Sequence, residues 1–180
     1  MMEIEVKAPL PDLAEVERRV SELGGRDFGR SIQVDEYYAH PSRDFGLTDE
    51  ALRLRTENDL TVITYKGPKL DRETKTREEF EVSIANRATM ASILDRLGFK
   101  PVIKISKKRH VYGLKGITVC FDSVVGLGDF IELEVDSDDV ERGKSAIFSL
   151  MREIGVSGSE RRSYLELLME KAGSGPKKMD

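Results

Sequence analysis

Residues 1–10, MMEIEVKAPL, indicate the fold most clearly. Glu3, Glu5 and Lys7 alternate with Ile4 and Val6, and this period of two is the one that a β-strand imposes on its side chains. The three charged side chains would therefore share one face of a strand, opposite an apolar face. Such a charged face either contacts water or belongs to a site.

The same alternation recurs in four later segments, again with formal charge on one face. The charged residues are Arg53 and Arg55; Lys75, Arg77, Glu79 and Glu81; Lys107 and Arg109; and Glu132 and Glu134. For a single strand, the ordinary interpretation is a solvated face. Five such faces in one chain, with like charges two residues apart, favour a different interpretation in which these faces line an interior.

Eight segments have the pattern of strands, and four amphipathic helices interrupt them. The predicted strands are 2–8, 30–39, 51–56, 60–67, 75–84, 101–112, 116–124 and 129–135, and the predicted helices are about 13–23, 87–97, 137–154 and 160–172. Eight antiparallel strands can close into a barrel. We therefore predict an α+β fold, an eight-stranded antiparallel β-barrel closed into a tunnel, with amphipathic helices packed outside.

The composition limits the classes of partner. Among 180 residues, 29 are basic and 33 acidic, and a net charge of −4 argues against a nucleic-acid partner. The single Cys120 allows no intramolecular disulfide. No apolar stretch suits a signal peptide or a membrane span, so we expect a cytoplasmic protein with no membrane partner. We expect one domain over residues 1–170 and a flexible C-terminal tail over 171–180, and we leave a homodimer open.

A tunnel with both signs of charge in its wall suits a particular kind of ligand. Carboxylates bind hard cations such as Mg²⁺ or Mn²⁺. Arginine and lysine bind phosphate oxygens, and arginine can bind two of them at once. A metal-chelated polyphosphate needs both kinds of group.

Six motifs then occur in an order that resembles one family. Residues 3–7 have the form E-x-E-x-K, and "LRLR" at 52–55 and "YKGP" at 65–68 come next. They precede "REEFE" at 77–81, "KKR" at 107–109 and "VVGLGDFIELE" at 124–134. This series of motifs resembles the CYTH superfamily, also called triphosphate tunnel metalloenzymes. The resemblance extends from Glu3 to about residue 168. "KGP", "GLGDF" and "RSYLELL" at 162–168 are most similar to the CyaB-type class IV adenylyl cyclases.

The resemblance implies a role for each matching position. Glu3, Glu5, Glu132 and Glu134 would be ligands of Mg²⁺ or Mn²⁺. The triphosphate would be held by Lys7, Arg53, Arg55, Lys66, Arg77, Lys107 and Arg109. The resemblance also implies six catalytic residues: Glu3, Glu5, Lys7, Arg53, Lys107 and Arg109. Glu79, Glu81 and Asp122 would support their neighbours across the wall, and Arg77 would help to orient them.

Three functions remain open at this point. The resemblance first implies an adenylyl cyclase that converts ATP to cyclic AMP and pyrophosphate. The alternative is a triphosphatase acting on inorganic, thiamine or nucleoside triphosphate, and acids at both 132 and 134 are more typical of that branch. The third is a non-catalytic protein that binds polyphosphate. The four glutamates at 3, 5, 132 and 134 argue against it, because a protein that only binds anions gains nothing from carboxylates whose repulsion a metal must offset.

Other features of the sequence are less specific. Asp35, Tyr37 and Tyr38 could reach a ligand, although at least one tyrosine should pack in the core, because neighbouring strand residues point to opposite faces. "RGKS" at 142–145 resembles the end of a P-loop but lies in a predicted helix without the required upstream glycine. The last predicted helix is expected to close one tunnel mouth or to cover the barrel.

Overall fold

A computed structural model describes residues 2–70 and 77–173, and for Met2 and Glu3 it describes the backbone only. The strands are β1 Met2–Pro9, β2 Arg26–Ala39, β3 Ala51–Glu57, β4 Leu60–Lys66, β5 Glu79–Ile84, β6 Lys100–Leu114, β7 Ile117–Val124 and β8 Gly128–Ser137. The helices are α1 Leu13–Glu22, α2 Phe45–Thr48, α3 Arg87–Arg96, α4 Val140–Glu153 and α5 Tyr164–Lys171. None of these helices combines the length and the apolar character that a membrane crossing requires.

All eight strands belong to one antiparallel sheet with the order β1-β8-β7-β6-β2-β3-β4-β5. This confirms the predicted α+β fold of eight antiparallel strands. In the part of the chain that is described, the paired strands form a curled half-barrel whose two edges are β1 and β5. Closure into a complete tunnel stays a prediction.

Two apolar layers cover the outer face of the sheet, as the alternating pattern predicts. The first layer packs α1 and α4 against β1, β6, β7 and β8, and Ile4, Val6 and Val20 are almost fully buried there. The second packs α3 against β2 and β3, around Leu54 and Leu94. Because the apolar side chains of β1 face these helices, the charged side chains of the same strand must face the concave side.

The fifth helix packs differently from the other long helices. Tyr164 of α5 belongs to a small apolar cluster with Tyr37, Val124 and Phe130, whose side chains lie on the concave face. α5 therefore covers part of the inner face instead of the outer one. The last helix was expected to close one tunnel mouth or to cover the barrel, and closure of a mouth stays a prediction.

The segment predicted as a polar loop between β2 and β3 contains the short helix α2. Asp44 caps it, because its carboxylate accepts hydrogen bonds from the backbone N–H groups of Gly46 and Leu47. The predicted strand 75–84 also differs, since residues 77 and 78 precede β5. Positions 75 and 76 of that strand lie outside the described residues, as does the greater part of the predicted tail, 174–180.

Candidate functional site

The concave face of the sheet borders a cavity of about 830 Å³. Eleven of the residues predicted from the sequence line it: Glu5, Arg53, Arg55, Lys66, Arg77, Glu79, Glu81, Lys107, Arg109, Glu132 and Glu134. Lys7 and Asp122 are buried within the cavity wall. The side chain of Glu3 is outside the described residues, so its predicted role stays a prediction.

Asp122 is the centre of a buried ionic cluster on β6, β7 and α5. Its Oδ1 accepts a hydrogen bond from Nε of Arg109 at 2.7 Å. Its Oδ2 accepts from Nζ of Lys107 at 2.8 Å, from Nη2 of Arg109 at 2.5 Å and from the hydroxyl of Tyr164 at 3.0 Å. The carboxylate therefore holds two cations side by side, with both pointed toward the cavity that they line.

The two acids of β8 share the guanidinium of Arg109 with Asp122. Arg109 donates to Glu132, and Nη1 of Arg109 lies 3.7 Å from Oε1 of Glu134. Burial by itself would lower the pKa of Arg109, but the charges of Glu132 and Asp122 outweigh it and hold that pKa well above its ordinary value. Arg109 is thus charged throughout the physiological range.

A second ionic cluster lies around Asp35 on the other half of the sheet. Arg55 forms a bidentate pair with Asp35, at 2.6 Å from Nε and 2.8 Å from Nη2, and Nη1 of Arg53 lies 3.4 Å from the same carboxylate. Burial alone would raise the pKa of Asp35, but these two arginines outweigh it and hold the pKa well below the usual range. Two further cations are therefore fixed at the cavity wall.

The edge of the sheet at β4 and β5 completes the charged lining. Lys66 forms an ion pair with Glu79, and the hydroxyl of Thr64 donates to Glu81 at 2.9 Å. The side chain of Arg77 is buried, and its Nη1 donates to the carbonyl of Gly67 at 3.4 Å. Arg77 therefore braces the turn that follows β4.

Lys7 links β1 to the start of α5. Its ammonium donates to the carbonyl of Arg162 and lies 4.2 Å from the ring centroid of Tyr164. On the neighbouring strand, Glu132 is directly opposite Lys7 in the ladder, so the two side chains lie on the same face.

Two lysines of the cavity have lowered pKa values. Burial lowers the pKa of Lys66, and the charge of Arg53 lowers it further. Burial also lowers the pKa of Lys107, followed by the charge of Arg109. In both lysines, burial and then a neighbouring arginine outweigh the carboxylate partners, and an anionic ligand would favour the charged form of each.

The acids of β1 and β8 are the candidate metal ligands. Glu5 pairs with Glu134 in the ladder, and Glu132 lies two residues along the same face. Carboxylate oxygens suit Mg²⁺ or Mn²⁺, so the donor chemistry fits a hard cation. Within the described part of the chain, however, no three acids, histidines or cysteines are close enough together to form a complete metal shell.

Apolar and aromatic residues also line the cavity, among them Tyr37, Leu52, Val102, Leu165 and Met169, from β2, β3, β6 and α5. They lie in a lining that also includes polar residues such as Ser42 and Ser163. The cavity thus offers both phosphate-binding cations and apolar surface that an organic group could contact.

The structure adds residues to the set predicted from the sequence. Asp35 and Tyr37 line the cavity, and Tyr38 packs in the outer core while also bordering the cavity. Thr64 and Tyr164 were not predicted to contact the ionic groups. The alternation of the strand places Thr64 on the same face as Lys66, and this pattern could have identified Thr64 as a residue of the cavity wall. Tyr164 is the first residue of a helix, and no periodic pattern in the sequence pointed to its contact with the ionic groups.

Comparisons with known proteins agree with this fold. A model of the CYTH domain matches residues 1–165. A Methanocaldococcus jannaschii protein, provisionally named an adenylate cyclase, is 40% identical over 172 residues, 93% of this chain and 98% of its own. The adenylate cyclase CyaB of Aeromonas hydrophila is 31% identical over 142 residues, 75% of this chain and 71% of its own. A solved Pyrococcus horikoshii structure has a TM-score of 0.87 and 43% identity, covering 94% of this chain and 99% of its own. The chain therefore belongs to the family of CYTH-domain proteins.

Proposed function

We propose that this protein is a metal-dependent adenylyl cyclase that converts ATP to cyclic AMP and pyrophosphate. The observation that carries the proposal is the cavity itself. Its volume is about 830 Å³, and its lining includes apolar and aromatic residues as well as the cations. A triphosphate alone would use only the cations, whereas a nucleoside triphosphate would also contact the apolar and aromatic residues. The names of the Methanocaldococcus and Aeromonas relatives support the same activity.

The phosphate groups would contact the cations of both ionic clusters. Arg53 and Arg55 approach from one half of the sheet, and Lys107 and Arg109 from the other. The planar guanidinium groups can each bind two phosphate oxygens, while a lysine acts as a compact point charge. Lys66 adds a further cation at the edge strand pair.

The carboxylates would hold the metal ion beside these cations. Glu5, Glu132 and Glu134 are the described residues whose position and chemistry suit Mg²⁺ or Mn²⁺. When bound, such an ion neutralises charge on phosphate oxygens and orients the substrate.

The reaction requires the ribose 3′-oxygen to attack the α-phosphorus in line with the leaving group. A bond forms between the 3′-oxygen and the α-phosphorus, and the bond from the α-phosphorus to the bridging oxygen breaks, releasing pyrophosphate. The proton of the 3′-hydroxyl passes to solvent. The contribution of the protein is mainly positioning and electrostatic stabilisation. Lys107 and Arg109 would stabilise the negative charge that grows on the departing pyrophosphate.

Product analysis tests the proposal. The protein would be incubated with ATP or inorganic triphosphate in the presence of Mg²⁺ or Mn²⁺, and the products separated by chromatography. Cyclic AMP with pyrophosphate from ATP is the expected result. Release of orthophosphate as the main product would contradict the proposal and identify a triphosphatase, and metal-dependent binding without turnover would identify a binding protein.

Adjacent lysines on β6 provide a matched pair of variants. Lys107 lies in the cavity wall, whereas the side chain of Lys108 is exposed. Lys107→Ala should reduce turnover strongly, while Lys108→Ala, with the same change of charge, should retain it. Equal activity of the two variants would contradict the assignment of the concave face.

A further inference from the structure

Tyr164 contacts three groups of the charged wall from a single position. The Nζ atoms of Lys7 and Lys107 lie 4.2 Å and 5.1 Å from its ring centroid. Its hydroxyl donates to Oδ2 of Asp122 at 3.0 Å. Only 7% of the residue is exposed. One side chain of α5 therefore contacts members of β1, β6 and β7.

We infer that Tyr164 is a positioning residue for the triphosphate site, because its ring holds the ammonium groups of Lys7 and Lys107 while its hydroxyl orients Asp122. The inference rests on the proposed function, in which these lysines bind phosphate. Tyr164 itself acts through its neighbours and forms no bond with the reacting atoms.

The chemistry of tyrosine suits this position better than that of another apolar residue. The face of an aromatic ring is negative and attracts an ammonium group, most strongly where water is excluded. An aliphatic side chain of similar size would fill the same space without attracting Lys7 or Lys107. It would also remove one of the four hydrogen bonds that the carboxylate of Asp122 accepts.

The start of α5 is built so that the ring is fixed in place. Ser163 and Glu166 form a capping box, with hydrogen bonds of 3.1 Å and 2.6 Å between each side chain and the other's backbone N–H. Phe130 packs against the Tyr164 ring edge to face, at 5.2 Å between centroids. The preceding Arg162 accepts a hydrogen bond from Lys7 through its carbonyl. The docking of this turn and the placement of the two lysines are thus coupled.

Direct binding of inorganic triphosphate with Mg²⁺, measured by calorimetry on the full chain, tests the inference. Tyr164→Phe keeps the ring and should raise the dissociation constant by about threefold, the effect of one hydrogen bond. Tyr164→Leu also loses the ring and should raise it by about tenfold to a hundredfold. In the enzymatic assay the Tyr164→Leu effect should appear in KM more than in kcat.

Leu168→Ala is the matched control for the docking of α5. Leu168 packs on the same apolar cluster as Tyr164 but belongs to neither ionic cluster. This variant should weaken triphosphate binding by less than about threefold, because it removes packing alone. Equal weakening by Tyr164→Leu and Leu168→Ala, or no weakening by Tyr164→Leu, would overturn the inference.

A second measurement needs no ligand. Ammonium protons above an aromatic ring are shielded, so ¹H–¹⁵N spectra of the lysine side chains should show two shifted resonances in the unmodified protein and in Tyr164→Phe. In Tyr164→Leu the Lys107 shift should be lost and the Lys7 shift reduced, because the Phe130 ring, whose centroid is 5.6 Å from Nζ of Lys7, remains. Leu168→Ala should keep both shifts, and unchanged spectra in Tyr164→Leu would overturn the inference. If the unmodified protein binds no triphosphate, the proposed function fails, while these spectra still decide the role of Tyr164.

Discussion

Replacing Asp122 with asparagine tests the electrostatic structure of the cavity wall. The carboxylate is fully buried and accepts four hydrogen bonds, two from Arg109, one from Lys107 and one from Tyr164. Asparagine has nearly the same shape but only one accepting oxygen and no charge. If its nitrogen replaces Oδ1, it faces a donor of Arg109. If it replaces Oδ2, it faces three donors.

The expected cost follows from the burial of the cluster. Removing one partner of a buried ion pair leaves uncompensated charge and typically costs about 3–5 kcal/mol. Glu132 remains beside Arg109 and limits the loss, so the lower half of that range is expected for Asp122→Asn. For a chain of this length the change corresponds to a fall in Tm of roughly 6–16 °C. Urea unfolding, followed by circular dichroism, measures the free energy directly.

Asp129→Asn is the matched control. Asp129 lies on the neighbouring strand β8, is partly exposed and accepts a hydrogen bond from Ser123 at 2.6 Å, which an amide oxygen can also accept. Its replacement should cost less than about 1 kcal/mol. A loss of less than about 1 kcal/mol in Asp122→Asn as well would refute the reasoning, because the buried cations would then need no carboxylate partner.

Three further predictions concern acid stability, pH-dependent binding and packing. Because the pKa of Asp35 is lower in the folded than in the unfolded protein, its ionised carboxylate stabilises the fold above the unfolded pKa, and this stabilisation is lost as the pH falls. Asp35→Asn lacks this contribution, so its free energy of unfolding should fall less below about pH 4. Unfolding of both proteins at about pH 3 and pH 6 measures the difference. Triphosphate affinity should fall as the pH rises through the folded pKa of Lys66, which lies below 10.5. Lys66→Arg should reduce that fall in titrations of binding against pH, since arginine stays charged, and the remaining fall is expected from Lys107, whose pKa is also lowered. In Gly143→Ala, the methyl group of the new alanine would collide with the side chain of Ile4 beneath α4. The variant should therefore be less stable by about 1–3 kcal/mol in urea unfolding, although alanine has the better helix propensity.

The strands were predictable because each carries a strong local signal. β1, β3 and β8 alternate apolar and charged residues, and the alternation decides which side chains face the outer helices. The starts of α1 and α3 carry residues of the type that caps helices: the side chains of Asp12 and Asn86 accept hydrogen bonds from the backbone N–H groups of Glu15 and Thr89. α2 was missed because four residues are too few for a helical period, and it depends on its cap and surroundings.

The site was predictable only as a set of positions that share a face. Motif resemblance and alternation selected eleven residues that line the cavity. The pairing of Asp35 with Arg55, rather than with the neighbouring Lys107, depends on strand order. β2 lies between β6 and β3, and this placement results from a crossover that no local pattern encodes.

The sequence by itself determined the strands, the face on which each charged side chain lies, and the resemblance to the CYTH superfamily, because all three depend on short-range spacing. Only the tertiary structure decided which charges meet. Asp122 reaches Arg109 thirteen residues away and Tyr164 forty-two residues away, and Lys7 reaches the carbonyl of Arg162 across 155 positions. The contact of Asp122 with Arg109 follows from the register of β6 and β7, in which the two residues are directly opposite. The other two contacts follow from the docking of α5, which depends on packing energies summed over the whole chain.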